Sequence, residues 1–208
     1  MAILCAWVAR DLSATSRHDL ADFDAHEVAR LETAAWRSYY AHEKLHLLTQ
    51  MVELLRTQYR MPFWRSWVAA YYAAHAAFVF QPGHNRADYE RALPDLKHLF
   101  GLVRQGSKTD FPVDHVAKLE LEWWIVHRER AEHPSDDLER ALADVQAEMF
   151  QQPLSCFADH AKARAEAMII RDSRAENGTV SEDDWRSIQA LLDQAWVSLR
   201  FAVATDGR

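Results

Sequence analysis

An all-α fold, a multi-helix bundle of about seven helices with a long first helix, is predicted by three features of the chain. Apolar residues recur at three- and four-residue spacing throughout. Five Gly and six Pro in 208 residues are too few for a turn-rich β architecture. No segment sustains the period-two alternation of a half-buried strand. With 49% apolar residues, eight Trp and nine Phe, the chain can build a sizeable core. It contains no internal repeat and no low-complexity linker, so residues 1–208 read as a single helical domain. The apolar segment 1–20 lacks the basic start of a secretory leader and is expected to pack on the body.

The first helix runs from about Asp22 to Tyr59, with Leu31, Ala34, Leu45, Leu48, Val52 and Leu55 in its apolar stripe. Pro62 opens the second, Phe63 to Phe80, because the missing proline N–H has no intrahelical partner in a first turn. Gln81-Pro82-Gly83 breaks the pattern. A third helix spans about Arg86 to Arg104, with a kink or new start at Pro94. The fourth begins near Pro112 and continues to His133. Pro134 to Asp137 then caps a fifth, Leu138 to Phe150. Pro153 opens the sixth, which ends near Asn177-Gly178. Ser181 and Asp184 resemble a capping box for the seventh, whose stripe includes Trp185, Ile188, Leu192, Trp196, Leu199 and Val203.

A net charge of −7 with both signs mixed along the helices provides no basic face for a phosphate backbone, so no nucleic-acid partner is expected. The longest internal apolar stretch, Val68 to Phe80, is interrupted by His75 and too short to span a bilayer, so no membrane partner is expected either. Cys5 and Cys156 are too few for a disulfide framework and have small apolar flanks, which suits packing in a reducing cytoplasm.

Chemistry is suggested by polar residues on apolar faces, since a buried ionisable group must be paired, coordinated or neutralised. His42-Glu43-Lys44-Leu45-His46 spells the H-E-x-x-H zinc signature, in which two histidines one helical turn apart grip a metal and the glutamate activates its water. A zinc peptidase would also need a sheet and a third ligand, and neither is visible. Glu32, Trp36, Tyr39, Glu43 and His46 form a second seam on the first helix. Glu43 and His46 also make the E-x-x-H pair of di-iron carboxylate bundles, of which the chain has one instead of two. Helical phase places Glu120 and His127 inward on the fourth helix, His160, Arg164 and Arg171 inward on the sixth, and His75 inward on the second.

Three readings follow. In the first, His46, Glu43, Glu120 and Glu32 hold iron, manganese or zinc. Glu43, His127, His160 and Arg164 then serve as base, proton-transfer groups and substrate clamp for a small molecule. In the second, a metal-free site uses His160, Arg164, Arg171 and His127 to surround a small anion. In the third, the polar groups only satisfy one another, with Arg164 or Arg171 paired to Glu120, and an exposed aromatic face makes a homo-oligomer or protein contact.

Overall fold

The computed structural model describes residues 2–13 and 16–204, and every regular element among them is helical. The elements are α1 (Ala2–Leu12), α2 (Ala25–Tyr40), α3 (Lys44–Thr57), α4 (Phe63–Phe80), the single turn α5 (Arg86–Tyr89), α6 (Leu93–Gly106), α7 (Val113–Arg128), α8 (Asp137–Phe150), α9 (Ala158–Glu176) and α10 (Glu182–Ala204). With the one-turn α5 set aside, the described residues contain nine helices instead of about seven. The first of them is short, not long.

The expected long first helix is broken in two. His42 has a φ of 59°, in the left-handed region, and the Glu43 N–H turns back to donate to the Ser38 carbonyl at 2.8 Å. A left-handed residue cannot continue a right-handed helix, so α2 ends and α3 restarts in the opposite direction. Other boundaries follow local chemistry. Asp24 accepts from the His26 and Glu27 amides to start α2. Ser181 and Asp184 form the reciprocal box that starts α10, with Asp184 Oδ2 accepting the Ser181 N–H at 3.0 Å.

α4 is capped from a distance. Pro62 before it supplies no capping side chain, but Asp11 from α1 accepts the Trp64 N–H at 2.6 Å and the Arg65 N–H at 3.2 Å. Trp7 stacks on Phe63 and meets Trp64 edge-on, so α1 docks on the start of α4.

The remaining helices close a ring. α2, α3, α4, α6, α7, α8, α9 and α10 each pack mainly on their neighbours in chain order, and α10 returns to pack on α2. Side-chain pairs establish antiparallel neighbours. Arg37 meets Glu182 and His26 meets Asp193 across α2 and α10, while Lys44 lies over Phe78 and Arg56 over Phe63 across α3 and α4. His75 meets Asp95 and Tyr72 stacks on His98 across α4 and α6. Short connections between consecutive helices enforce this alternation. The buried apolar residues accordingly form four clusters distributed around the annulus. No helix among the described residues is long and apolar enough to cross a membrane.

Two expectations about burial are corrected. His75 is exposed, stacked on Tyr71 and bonded to Asp95 at 2.6 Å. Cys5 and Cys156 are exposed free thiols and are not packed in the core.

The left-handed turn is directly testable. His42→Gly is expected to stabilise the protein by up to about 1 kcal/mol in urea unfolding, because glycine removes the Cβ penalty there. A continuous helix through residue 42 would instead be weakened by about 0.5–1 kcal/mol.

Candidate functional site

The ring encloses a cavity of about 780 Å³ to which every ring helix contributes side chains. α2 presents Glu32, Trp36, Tyr39 and Tyr40, and α3 presents Met51 and Leu55. Alanines 73, 74 and 77 of α4 and Leu96 and Phe100 of α6 leave room across from Glu120, Trp123, Trp124 and His127 of α7. Gln146 and Met149 come from α8, Arg164, Met168, Arg171 and Asp172 from α9, and Trp196 from α10. The exposed lining residues are Arg128 and Glu176, near the C-terminal ends of α7 and α9, so the cavity opens at that end. Its size falls within the range of about 300–1,000 Å³ typical of small-molecule sites.

At the inner end, Glu32 is the central acceptor. Its Oε1 accepts from Arg164 Nε at 3.0 Å and Nη2 at 2.7 Å, and its Oε2 accepts the Trp196 indole N–H at 2.5 Å. The Arg164 guanidinium lies 4.9 Å over the Trp123 ring. Glu120 faces the same space, and its Oε1 accepts the Trp124 indole N–H at 3.1 Å. It is half-buried and lines the cavity. Burial raises the Glu120 carboxyl above its ordinary range, against the opposing pull of Arg164 and the indole hydrogen bond, with Glu32 adding to the rise. Tyr59, which also lines the cavity, is pushed up to about 12 by burial and by the nearby Glu120 and Glu32.

At the mouth, Asp172 is the shared partner of two arginines and a histidine. His127 Nε2 lies 3.0 Å from its Oδ2, Arg130 donates to Oδ2 at 2.9 Å and Arg171 to Oδ1 at 2.9 Å. Burial alone would raise Asp172, but the contacts with His127, Arg171 and Arg130 outweigh it and hold its pKa below the usual value. Arg171 also lies 3.1 Å over the Tyr40 ring, and Arg130 pairs with Glu176. Arg128 donates to the Gln81 carbonyl and covers Phe80.

These positions rearrange the expected site. Glu43 and His46 pair with each other at 3.0 Å on the exposed start of α3, and His42 occupies the preceding turn, so the H-E-x-x-H residues do not share one helical face. Glu32 and Glu120 lie in the cavity, apart from that pair. The four residues expected to hold iron, manganese or zinc therefore do not converge, and no group of three or more His, Cys, Asp or Glu among the described residues could hold a metal ion.

His160 is buried as expected but lies in the seam between α9 and α10, outside the cavity lining. Its Nδ1 is 2.9 Å from the Ala195 carbonyl, and burial, followed by the Arg164 charge, pushes it down to about 3, so it is neutral. Arg164 pairs with Glu32 where Glu120 was expected, and Arg171 pairs with its neighbour Asp172.

Sequence reasoning missed Asp172, Tyr59 and Trp196. Asp172 had a local signal, a carboxylate immediately after an inward-facing arginine, whereas Tyr59 and Trp196 looked like ordinary core aromatics.

Compared with protein-family models, curated proteins and solved structures, the chain matches none significantly. The site's chemistry therefore rests on its geometry.

The raised Glu120 makes a signed prediction. A carboxyl whose folded pKa exceeds its unfolded value binds more protons when folded, so its contribution to stability is full below the unfolded pKa and is lost as pH rises through the folded one. Glu120→Gln should therefore raise the melting temperature near neutral pH, with the gain shrinking as pH falls towards the ordinary glutamate range. A gain that is constant with pH, or a loss at neutral pH, would show that Glu120 ionises freely.

Proposed function

We propose that the protein binds one small, largely apolar molecule inside the helical ring, with the Glu32, Arg164 and Glu120 group at the inner end fixing its orientation. The observation that supports this reading is the cavity itself. A bundle whose polar residues only satisfied one another would close over them, because close packing recovers dispersion contacts that an open interior forfeits. Here alanines 73, 74 and 77 face the space where larger side chains would fill it, and aromatic walls surround a few converging polar groups. That combination is the usual composition of a ligand site.

The geometry supports the metal-dependent reading less well, because Glu43 and His46 lie outside the cavity and Glu32 is engaged by Arg164 and Trp196. The anion reading is weakened for a related reason. Arg164, Arg171 and His127 each already face a carboxylate, and His160 is walled off. If the ligand is transformed, Glu120 is the group placed to exchange a proton with it, since a carboxyl raised towards neutrality by an apolar setting suits general acid and base roles.

Phenylnaphthylamine, a fluorescent and essentially uncharged probe, should bind saturably with one equivalent per chain. Ala77→Phe, which fills the wall of α4, should weaken it about tenfold or more. Non-saturable binding, or binding indifferent to Ala77→Phe, would rule out the cavity as the ligand site.

A further inference from the structure

We propose that the group the ligand presents to the inner end of the cavity is a basic nitrogen, held as an ammonium against the Glu120 carboxylate. This inference rests on the cavity being a ligand site and adds the chemical class of the ligand.

Each of the other cavity carboxylates already has a cation. Glu32 is bonded twice by Arg164, Asp172 is met by His127, Arg130 and Arg171, and Glu176 is met by Arg130. Glu120, by contrast, forms no ion pair among the described residues, and its hydrogen bond comes from the neutral Trp124 indole. Among the described residues, the groups that face it are Arg164 from α9, Glu32 from α2, Tyr59 beyond α3, and Trp123 and Trp124 on its own helix.

Arg164 and Glu32 offset one another, so an ionised Glu120 leaves one uncompensated negative charge in an apolar interior. Such a charge is costly until a cation meets it. Among the described residues the one cation that faces Glu120 is Arg164, already paired with Glu32, and a ligand ammonium would supply another. Trp123, Trp124 and Tyr59 line the same region, and aromatic faces attract ammonium groups when water is excluded. An anionic ligand would meet cations that are already engaged and would lie beside Glu120. A neutral ligand would leave Glu120 either protonated or with its charge unanswered.

Three probes of nearly equal shape separate these cases when titrated calorimetrically near neutral pH: naphthylethylamine, naphthylethanol and naphthylacetate. The amine should bind about tenfold or more tighter than the alcohol, and the acetate should bind weakest. In Glu120→Gln the amine should lose that advantage over the alcohol, while a retained helical circular dichroism spectrum and a cooperative melting transition show that the variant is folded. The inference is overturned if the alcohol or acetate binds as well as the amine, or if Glu120→Gln keeps the preference for the amine. Failure of both the alcohol and phenylnaphthylamine to bind would overturn the cavity reading itself, and this inference with it.

Discussion

Closure of the ring depends on the Glu32 carboxylate. One oxygen takes two hydrogen bonds from Arg164 of α9 and the other takes the indole N–H of Trp196 of α10, while Arg164 lies on Trp123 of α7. A single buried side chain of α2 thus fixes three other helices around the cavity. Removing one partner from such a pair strands a charge and typically costs about 3–5 kcal/mol, although a well-packed apolar replacement of the whole pair can be neutral or stabilising. The pair therefore contributes most by specifying arrangement. It holds α9 and α10 against α2 at the level where an interior without a central core would otherwise be free to collapse.

The two ends of the cavity are electrostatically different. At the mouth, Asp172 is held below its usual pKa by converging cations and stays ionised. At the inner end, Glu120 lacks such support and is raised. Divergent environments for two carboxyls in one cavity let one serve as a fixed structural charge and the other as an adjustable proton site. The hydrophobic clusters are arranged around this polar axis, so the wall supplies the apolar packing and the lumen holds the polar groups.

Much of the helical content was legible because periodicity and proline placement are local properties. Pro62, Pro94 and Ser181 mark helix starts where expected. The break at Ala41 to Glu43 was not legible. No Gly or Pro marks it, and apolar spacing continues through it, so only the antiparallel packing of α3 on α2 determines where the chain turns. Glu32, Trp36 and Tyr39 were read correctly as one inward seam, which ends at the turn and leaves Glu43 and His46 outside. The inward phase of Glu120, His127 and Arg164 was recoverable because α7 and α9 carry charged outer faces that set the rotation. α4 is apolar nearly all round, which leaves the phase of His75 undefined. The partner of Arg164 lies 132 residues away, and no local pattern distinguishes Glu32 from Glu120 as that partner.

The central claim, that a ligand enters the ring and does not bind on the surface, is tested most directly by the methionine methyl groups. Met51, Met149 and Met168 line the cavity, whereas Met61 is buried elsewhere in the core. With carbon-13 in the methionine methyls, saturation with an apolar naphthyl probe should shift the resonances of Met51, Met149 and Met168 and leave Met61 in place. Saturable binding that leaves those three unmoved, or that moves Met61 as much as them, would contradict a ligand site inside the ring.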